Sequence, residues 1–180
     1  MNRSNYLEPR FSFREAAEAA AFPLNTLRSY YQRGWFESFA RGLKAGRGRA
    51  QMLCLGDVLV LAIASRLIDQ GERPINAYTG ARPFGLIAST PKNLLEQGHP
   101  RRLPFELFNQ DEFDTYLLWR RGSPTRVIAV PKDGAVPVNA GLDEEGIQFG
   151  VATSVILLNA VERTVFKMLG LKRSGTSDAH

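Results

Sequence analysis

The chain has 180 residues, 44% hydrophobic and 23% charged, an ordinary balance for a globular protein with room for two small domains. Its formal net charge of +5 suits a polyanionic partner without requiring one. A single cysteine, Cys54, excludes an intrachain disulfide, and with only two histidines it cannot supply a four-ligand Cys/His metal centre within one chain.

Residues 1–10 read as a frayed, polar start. Ser12-Phe13-Arg14-Glu15 has the form of a capping box, with Ser12 as cap and Glu15 reaching back. It opens an alanine-rich helix over 13–20, whose small side chains let a second helix approach closely. A break follows at Ala21-Phe22-Pro23, and Pro23 is suited to start the next helix. That helix runs to about Arg33 and stops at Gly34, a natural C-terminal cap. Leu24, Leu27 and Tyr31 form its apolar stripe. Asn25, Arg28, Ser29 and Gln32 share another face, which holds no acid. Two short helices joined by a tight turn, the second with a neutral-to-basic polar face, have the pattern of a helix-turn-helix.

Trp35-Phe36 then supplies large apolar anchors. Residues 41–49 hold three glycines among Arg41, Lys44, Arg47 and Arg49, and read as the positive tip of a two-stranded wing. The wing strands are expected near Ser38–Ala40 and Ala50–Leu53. Asp57 begins a third helix, Val58 to Gln70, apolar on most sides and therefore central, closed by Gly71. Pro74 opens a fourth through Ala81. Gly80 to Pro83 is the expected domain boundary.

Beyond it, Thr115–Arg120 and Thr125–Val130 read as strands, the second ending at Pro131 before a Lys132-Asp133-Gly134 turn. Ala135–Ala140 reads as a paired strand, and Val151–Leu158 as a buried one. Asn159 is placed to cap a final helix through Leu169, with Val161, Val165, Met168 and Leu169 as its amphipathic face. The expected class is α+β: a winged helix-turn-helix over 11–82, a small mixed α/β domain over 84–170 ending in an amphipathic helix, and a disordered tail over 171–180.

The charge is not spread evenly. Residues 1–82 carry 12 Lys/Arg against 7 Asp/Glu, whereas 83–180 carry 11 of each, so the surplus lies wholly in the first part. Between 28 and 49, Arg28, Arg33, Arg41, Lys44, Arg47 and Arg49 face Glu37 alone. A local field of one sign steers and holds nucleic acid, although a basic run taken alone more often describes a solvated face.

The segment from Phe11 to Gly34 resembles the opening of MerR-like transcriptional regulators. Glu15-Ala16-Ala17, then a turn, then Thr26-Leu27-Arg28 with Tyr30, then Gly34 follow that family's order and spacing. A Gly/Arg-rich wing and an aspartate before an apolar helix, here Asp57, continue the likeness to about residue 80. The resemblance implies contact with double-stranded DNA. Arg28 and Tyr30 would meet backbone phosphates, Asn25 and Thr26 would face the major groove, and Arg47 and Arg49 would serve as wing contacts. It also implies a homodimer on an inverted repeat. Arg14, Ser29, Gln32, Arg33, Arg41 and Lys44 complete the expected DNA-binding set, and the transcription machinery is a further candidate partner. The chain departs from the family in lacking its long C-terminal coiled-coil helix and in a longer stretch from Gly46 to Gly56. The last helix is therefore either a dimer contact or a helix packed on its own sheet. Two other readings stay open: an excisionase-like accessory DNA-binding factor, and a regulator whose C-terminal domain binds a small molecule against Tyr116 or Trp119.

No enzymatic chemistry is expected. Cys54 lies in an apolar context that suits a core thiol, nothing in the flanking sequence supports a pair with His99, and Asp143-Glu144-Glu145 reads as a solvated turn. No cofactor is expected, and no catalytic or metal site. The first apolar stretch is interrupted by Glu15 and Glu18, so no signal peptide is expected. The longest apolar run, Val58–Ala64, is too short to span a bilayer. A cytoplasmic, nucleoid-associated protein is the resulting expectation.

Overall fold

A computed structural model of the chain describes residues 4–39, 52–88, 95–99, 101–134 and 154–172. The expected α+β class holds: helices and antiparallel sheets share the chain. It packs as two compact units, Met1–Ala62 with Val161–His180, and Ile63–Ala160. The division therefore falls inside two helices rather than at Gly80–Pro83.

The first unit begins with a single helical turn, α1 (Ser4–Leu7), and a short strand, β1 (Pro9–Phe11). The expected frayed start is thus ordered from Ser4 onward, with Tyr6 buried. β1 pairs antiparallel with β2 (Leu53–Cys54), more than 40 residues away, through a bulged register. A three-residue strand carries no periodicity of its own, and only its distant partner orders it. At their described ends the expected wing strands differ: Leu53 pairs with Phe11, and neither Ser38 nor Phe39 is in a strand. Ala40, Ala50 and the expected wing tip lie outside the described residues.

The capping box forms as the sequence indicates. Ser12 Oγ accepts from Glu15 N–H at 3.3 Å, and Glu15 Oε2 accepts from Ser12 N–H at 2.8 Å. Hydrogen bonding from Ser12, its backbone N–H first and its side chain second, holds the Glu15 carboxyl below the usual carboxylate range. Helix α2 (Phe13–Ala19) buries Ala16, Ala17 and Ala19. It closes with a Schellman motif, in which Ala21 N–H donates to Glu18 O at 3.2 Å and Phe22 N–H to Ala17 O at 2.8 Å. The left-handed residue of that motif is Ala21, with φ +53°. Helix α3 (Leu24–Gln32) ends in the same way, but with Gly34 at φ +69°. An L-residue pays a steric penalty in this region that glycine escapes. Ala21→Gly is therefore expected to stabilise the chain by about 0.5–1 kcal/mol, after the added freedom of the unfolded chain is subtracted. Urea denaturation of the variant and the parent checks this.

Pro23 sits at the cap position of α3, one residue before its expected place, and its carbonyl accepts from Leu27 N–H at 2.9 Å. Helix α4 (Leu55–Asp69) begins before Asp57 rather than after it. Its residues 55–65 are all buried, as befits a helix apolar on every side.

In the second unit, α5 (Pro74–Ala81) matches its expected span, and α6 (Pro83–Leu86) follows after one residue. The strands β3 (Phe113–Trp119), β4 (Arg126–Pro131) and β5 (Ser154–Leu157) form an antiparallel sheet in the order β4-β3-β5. The Lys132–Gly134 turn is present, closed by Gly134 N–H on Pro131 O at 2.8 Å. Residues 135–140 lie outside the described residues. The Trp119 indole lies against Gly80 so closely that a Cβ there would come within 2.7 Å of Nε1. Thr125 Oγ1 donates to Gly80 O at 2.9 Å, so the β3–β4 hairpin is fastened to α5 at a residue without a side chain.

The chain turns directly from β5 into α7 (Leu158–Met168). Asn159 is not its cap. Its Oδ1 accepts from Thr115 N–H at 2.6 Å, supplying β3 with a partner where β5 has ended. From Val161 onward, α7 belongs to the first unit. Its inward face also differs from the expected one: Val161, Val165, Phe166 and Glu162 are buried, and Met168 is 58% exposed. Of the face offered as a dimer contact, Val161 and Val165 are therefore buried within the chain, whereas Met168 is exposed and Leu169 half-buried. Leu171 and Lys172 are described, and 173–180 lie outside the described residues.

Candidate nucleic-acid interface

Helix α3 carries most of the described candidate residues, and its position follows from a cluster of rings. Phe13 of α2 meets Tyr31 edge-on at 5.1 Å. Phe22, in the α2–α3 turn, meets Tyr30 at 6.1 Å and Phe36 at 5.9 Å. Phe36 in turn packs edge-on against Tyr30 at 5.0 Å and Tyr31 at 6.1 Å. Edge-to-face pairs at these separations add to the burial of the rings and resist rotation of one helix against the other. Leu27 completes the inward face and is wholly buried. Of the expected apolar stripe, Leu24 and Tyr31 are only half-buried.

The opposite face is open. Asn25, Arg28 and Gln32 are exposed, with Ser29 half-buried among them, at spacings that put all four on one side of the helix. Thr26, Tyr30 and Arg33 recur at i, i+4 and i+7 along an adjoining flank. Thr26 and Tyr30 are half-buried there, and Arg33 is exposed. No acidic residue lies in the first turn of α3, and no side chain caps it. Arg14 is exposed in the first turn of α2. Among the described residues, no ion pair engages Arg14, Arg28 or Arg33. Their charges are thus available to an external anion, whereas Arg10 is held by Glu8 at 3.1 Å.

Two candidates have structural duties as well. Tyr30 anchors the ring cluster, and Arg33 stacks its guanidinium over Trp35 at 5.2 Å. Arg41, Lys44, Arg47 and Arg49 lie outside the described residues.

Asp57 is the residue whose importance the linear pattern understates. It is 2% exposed, and three donors converge on it: Ser38 Oγ at 2.6 Å, Phe39 N–H at 2.7 Å and Cys54 N–H at 2.9 Å. Phe39 precedes the Arg-rich segment 40–51 and Cys54 closely follows it, so one carboxylate ties the flanks of that segment to the first turn of α4. The aspartate is visible in the sequence as a helix-start signal, but the two partners from 38 and 39 are not. Cys54 beside it is buried, and its thiol pKa is raised first by burial and then by the Asp57 carboxylate. That environment opposes the thiolate a nucleophile needs. His99 instead pairs with Glu112 at 3.4 Å and meets Phe113 edge-on.

The Arg101-Arg102 pair divides. Arg101 is exposed, and Arg102 is 3% exposed. Burial pushes the Arg102 guanidinium down to about 10, with Glu106 acting the other way, so it stays charged at neutral pH. Trp119 is buried against Gly80.

No protein-family model matches the chain, and no curated protein matches it. Among the described residues no helix is long and apolar enough to cross a membrane.

Proposed function

We propose that the first unit is a winged helix-turn-helix of MerR-like kind that binds double-stranded DNA. The protein would then act as a sequence-specific transcriptional regulator, dimeric on an inverted repeat. The observation that carries this reading is the exposed, acid-free face of α3, with Asn25, Arg28, Ser29 and Gln32 side by side on a helix braced by aromatic rings. A rigid helix with such a face suits the major groove: amide side chains read base edges and arginines hold phosphates or guanine. The basic residues Arg41, Lys44, Arg47 and Arg49 would add phosphate contacts.

The test is retention of genomic fragments by the purified full chain at moderate salt, followed by sequencing. Enrichment of a short inverted repeat is the expected result. Arg28→Ala is expected to weaken binding to every sequence by about tenfold, the worth of one charged hydrogen bond, and to lower the salt slope by about 0.9. Asn25→Ala is expected to change the ranking of sequences instead. Uniform weak retention, or an Arg28→Ala protein that binds as the parent does, would overturn the assignment of α3.

A further inference from the structure

We propose that Trp35 is a positioning residue that holds the Arg33 guanidinium as a phosphate clamp at the C-terminal end of α3. The inference rests on the DNA-binding reading above and names a device within that surface.

Trp35 is an unusual residue to leave open. It is 40% exposed, whereas its neighbour Phe36 is 2% exposed and sealed in the ring cluster. Its place is set by the end of the helix. Gly34 takes φ +69°, Gly34 N–H donates to Tyr31 O at 3.1 Å, and Trp35 N–H donates to Tyr30 O at 2.9 Å. The Schellman turn thereby folds residue 35 back onto the flank that carries Thr26, Tyr30 and Arg33.

Two contacts meet on the Trp35 ring. The Tyr30 ring lies 5.1 Å from the Trp35 ring with planes only 30° apart, unlike the steep angles of the other ring pairs of this unit. Arg33 lies over Trp35 at 5.2 Å. Trp35 thus links the ring cluster, through Tyr30, to an exposed cation that is in no ion pair among the described residues.

Indole is the aromatic ring best suited to a cation, and a guanidinium stacks on it while its N–H groups stay free to donate. Those donors form a planar fork that fits two phosphate oxygens, which a lysine ammonium cannot do. Freezing a long side chain before the ligand arrives removes an ordering cost at binding. A lone exposed Arg33 would carry the same charge without this advantage. The ligand chemistry is the DNA backbone, so the contact contributes affinity and register but no base preference.

The experiment is a double-mutant cycle on the full chain, read as affinity for an enriched genomic fragment across a salt series. Arg33→Ala is expected to weaken binding about tenfold and to lower the salt slope by about 0.9. Trp35→Leu is expected to weaken it about threefold in the parent, and not at all in the Arg33→Ala background. Arg33→Lys keeps the charge but loses the fork, and is expected to bind more weakly than the parent. Trp35→Phe, a gentler change at a surface position, is expected to fall between the parent and Trp35→Leu. Thermal melts of every variant confirm that the fold is retained. Additive losses from Trp35 and Arg33 would overturn the proposal, as would an Arg33→Lys protein that binds like the parent. Failure of the parent chain to bind DNA would overturn the DNA-binding reading and this one with it, an outcome distinct from binding with an uncoupled pair.

Discussion

Asp57→Ala is expected to lower the stability of the first unit by about 4 kcal/mol, because three converging donors lose a buried anionic acceptor at once. Ser38 Oγ and the backbone N–H groups of Phe39 and Cys54 all point at this carboxylate, and its site is nearly closed to water. A hydroxyl can turn elsewhere, but the two backbone donors cannot. Asp57→Asn is expected to fail as well, by about 2 kcal/mol, since its NH₂ group would face a donor where an oxygen now accepts. Equilibrium urea unfolding of both variants measures these losses, and a change of under 1 kcal/mol for Asp57→Ala would contradict them. DNA binding should report the same lesion. Asp57 holds residues on both sides of the 40–51 segment, so a folded Asp57→Asn protein at low temperature is expected to lose affinity although no charge has left the candidate surface.

Arg102→Met is expected to cost about 3 kcal/mol, for a reason unrelated to nucleic acid. The guanidinium donates to the carbonyls of Phe84, Leu103, Glu106 and Ile87, and lies over the Phe84 ring at 5.6 Å. It is the buried tie between α6 and the segment around residues 102–106. Methionine fills much of the volume but leaves the Ile87 and Glu106 carbonyls without this donor, whereas Phe84 O and Leu103 O keep the backbone N–H groups of Phe105 and Glu106. Lysine keeps the charge but concentrates it at one point, so Arg102→Lys is expected to recover only part of the loss. Arg101→Ala, at an exposed site, should stay within about 0.5 kcal/mol of the parent. Thermal or urea unfolding separates the three. A destabilised Arg101→Ala with a neutral Arg102→Met would invert the assignment.

These two residues also show where linear reading ends. Arg101 and Arg102 are the same letter in adjacent places, and composition treats both as a basic spot. One is solvated and the other is a buried hydrogen-bond hub, a difference set by carbonyls 15 and 18 positions upstream. The candidate surface was more legible. Asn25, Arg28 and Gln32 are exposed on α3 as their spacing indicates, because helical period alone decides which residues share a face. Tyr30 and Arg33 were legible as candidates, but not as partners of Trp35. The α7 face was only half legible. Val161 and Val165 turn inward as expected, but Phe166 does too and Met168 does not.

The sequence by itself determined the features whose causes lie within a turn or two of the chain. The Ser12–Glu15 capping box, the Gly34 stop, the Pro74 start, the central apolar helix and the strands β3 and β4 with the turn after them all belong here. Each depends on dihedral preference, on a bond spanning three to five residues, or on a short periodic pattern. Only the tertiary structure decided that Pro9–Phe11 is a strand, that Asp57 gathers donors from Ser38 and Phe39, and that Asn159 serves β3 rather than its own helix. It also decided that α7 from Val161 onward joins the first unit. The paired residues among these lie 18 to 45 positions apart. Their free energy comes from burial and hydrogen bonding that arise only when distant segments meet, and no local preference encodes which segments those will be.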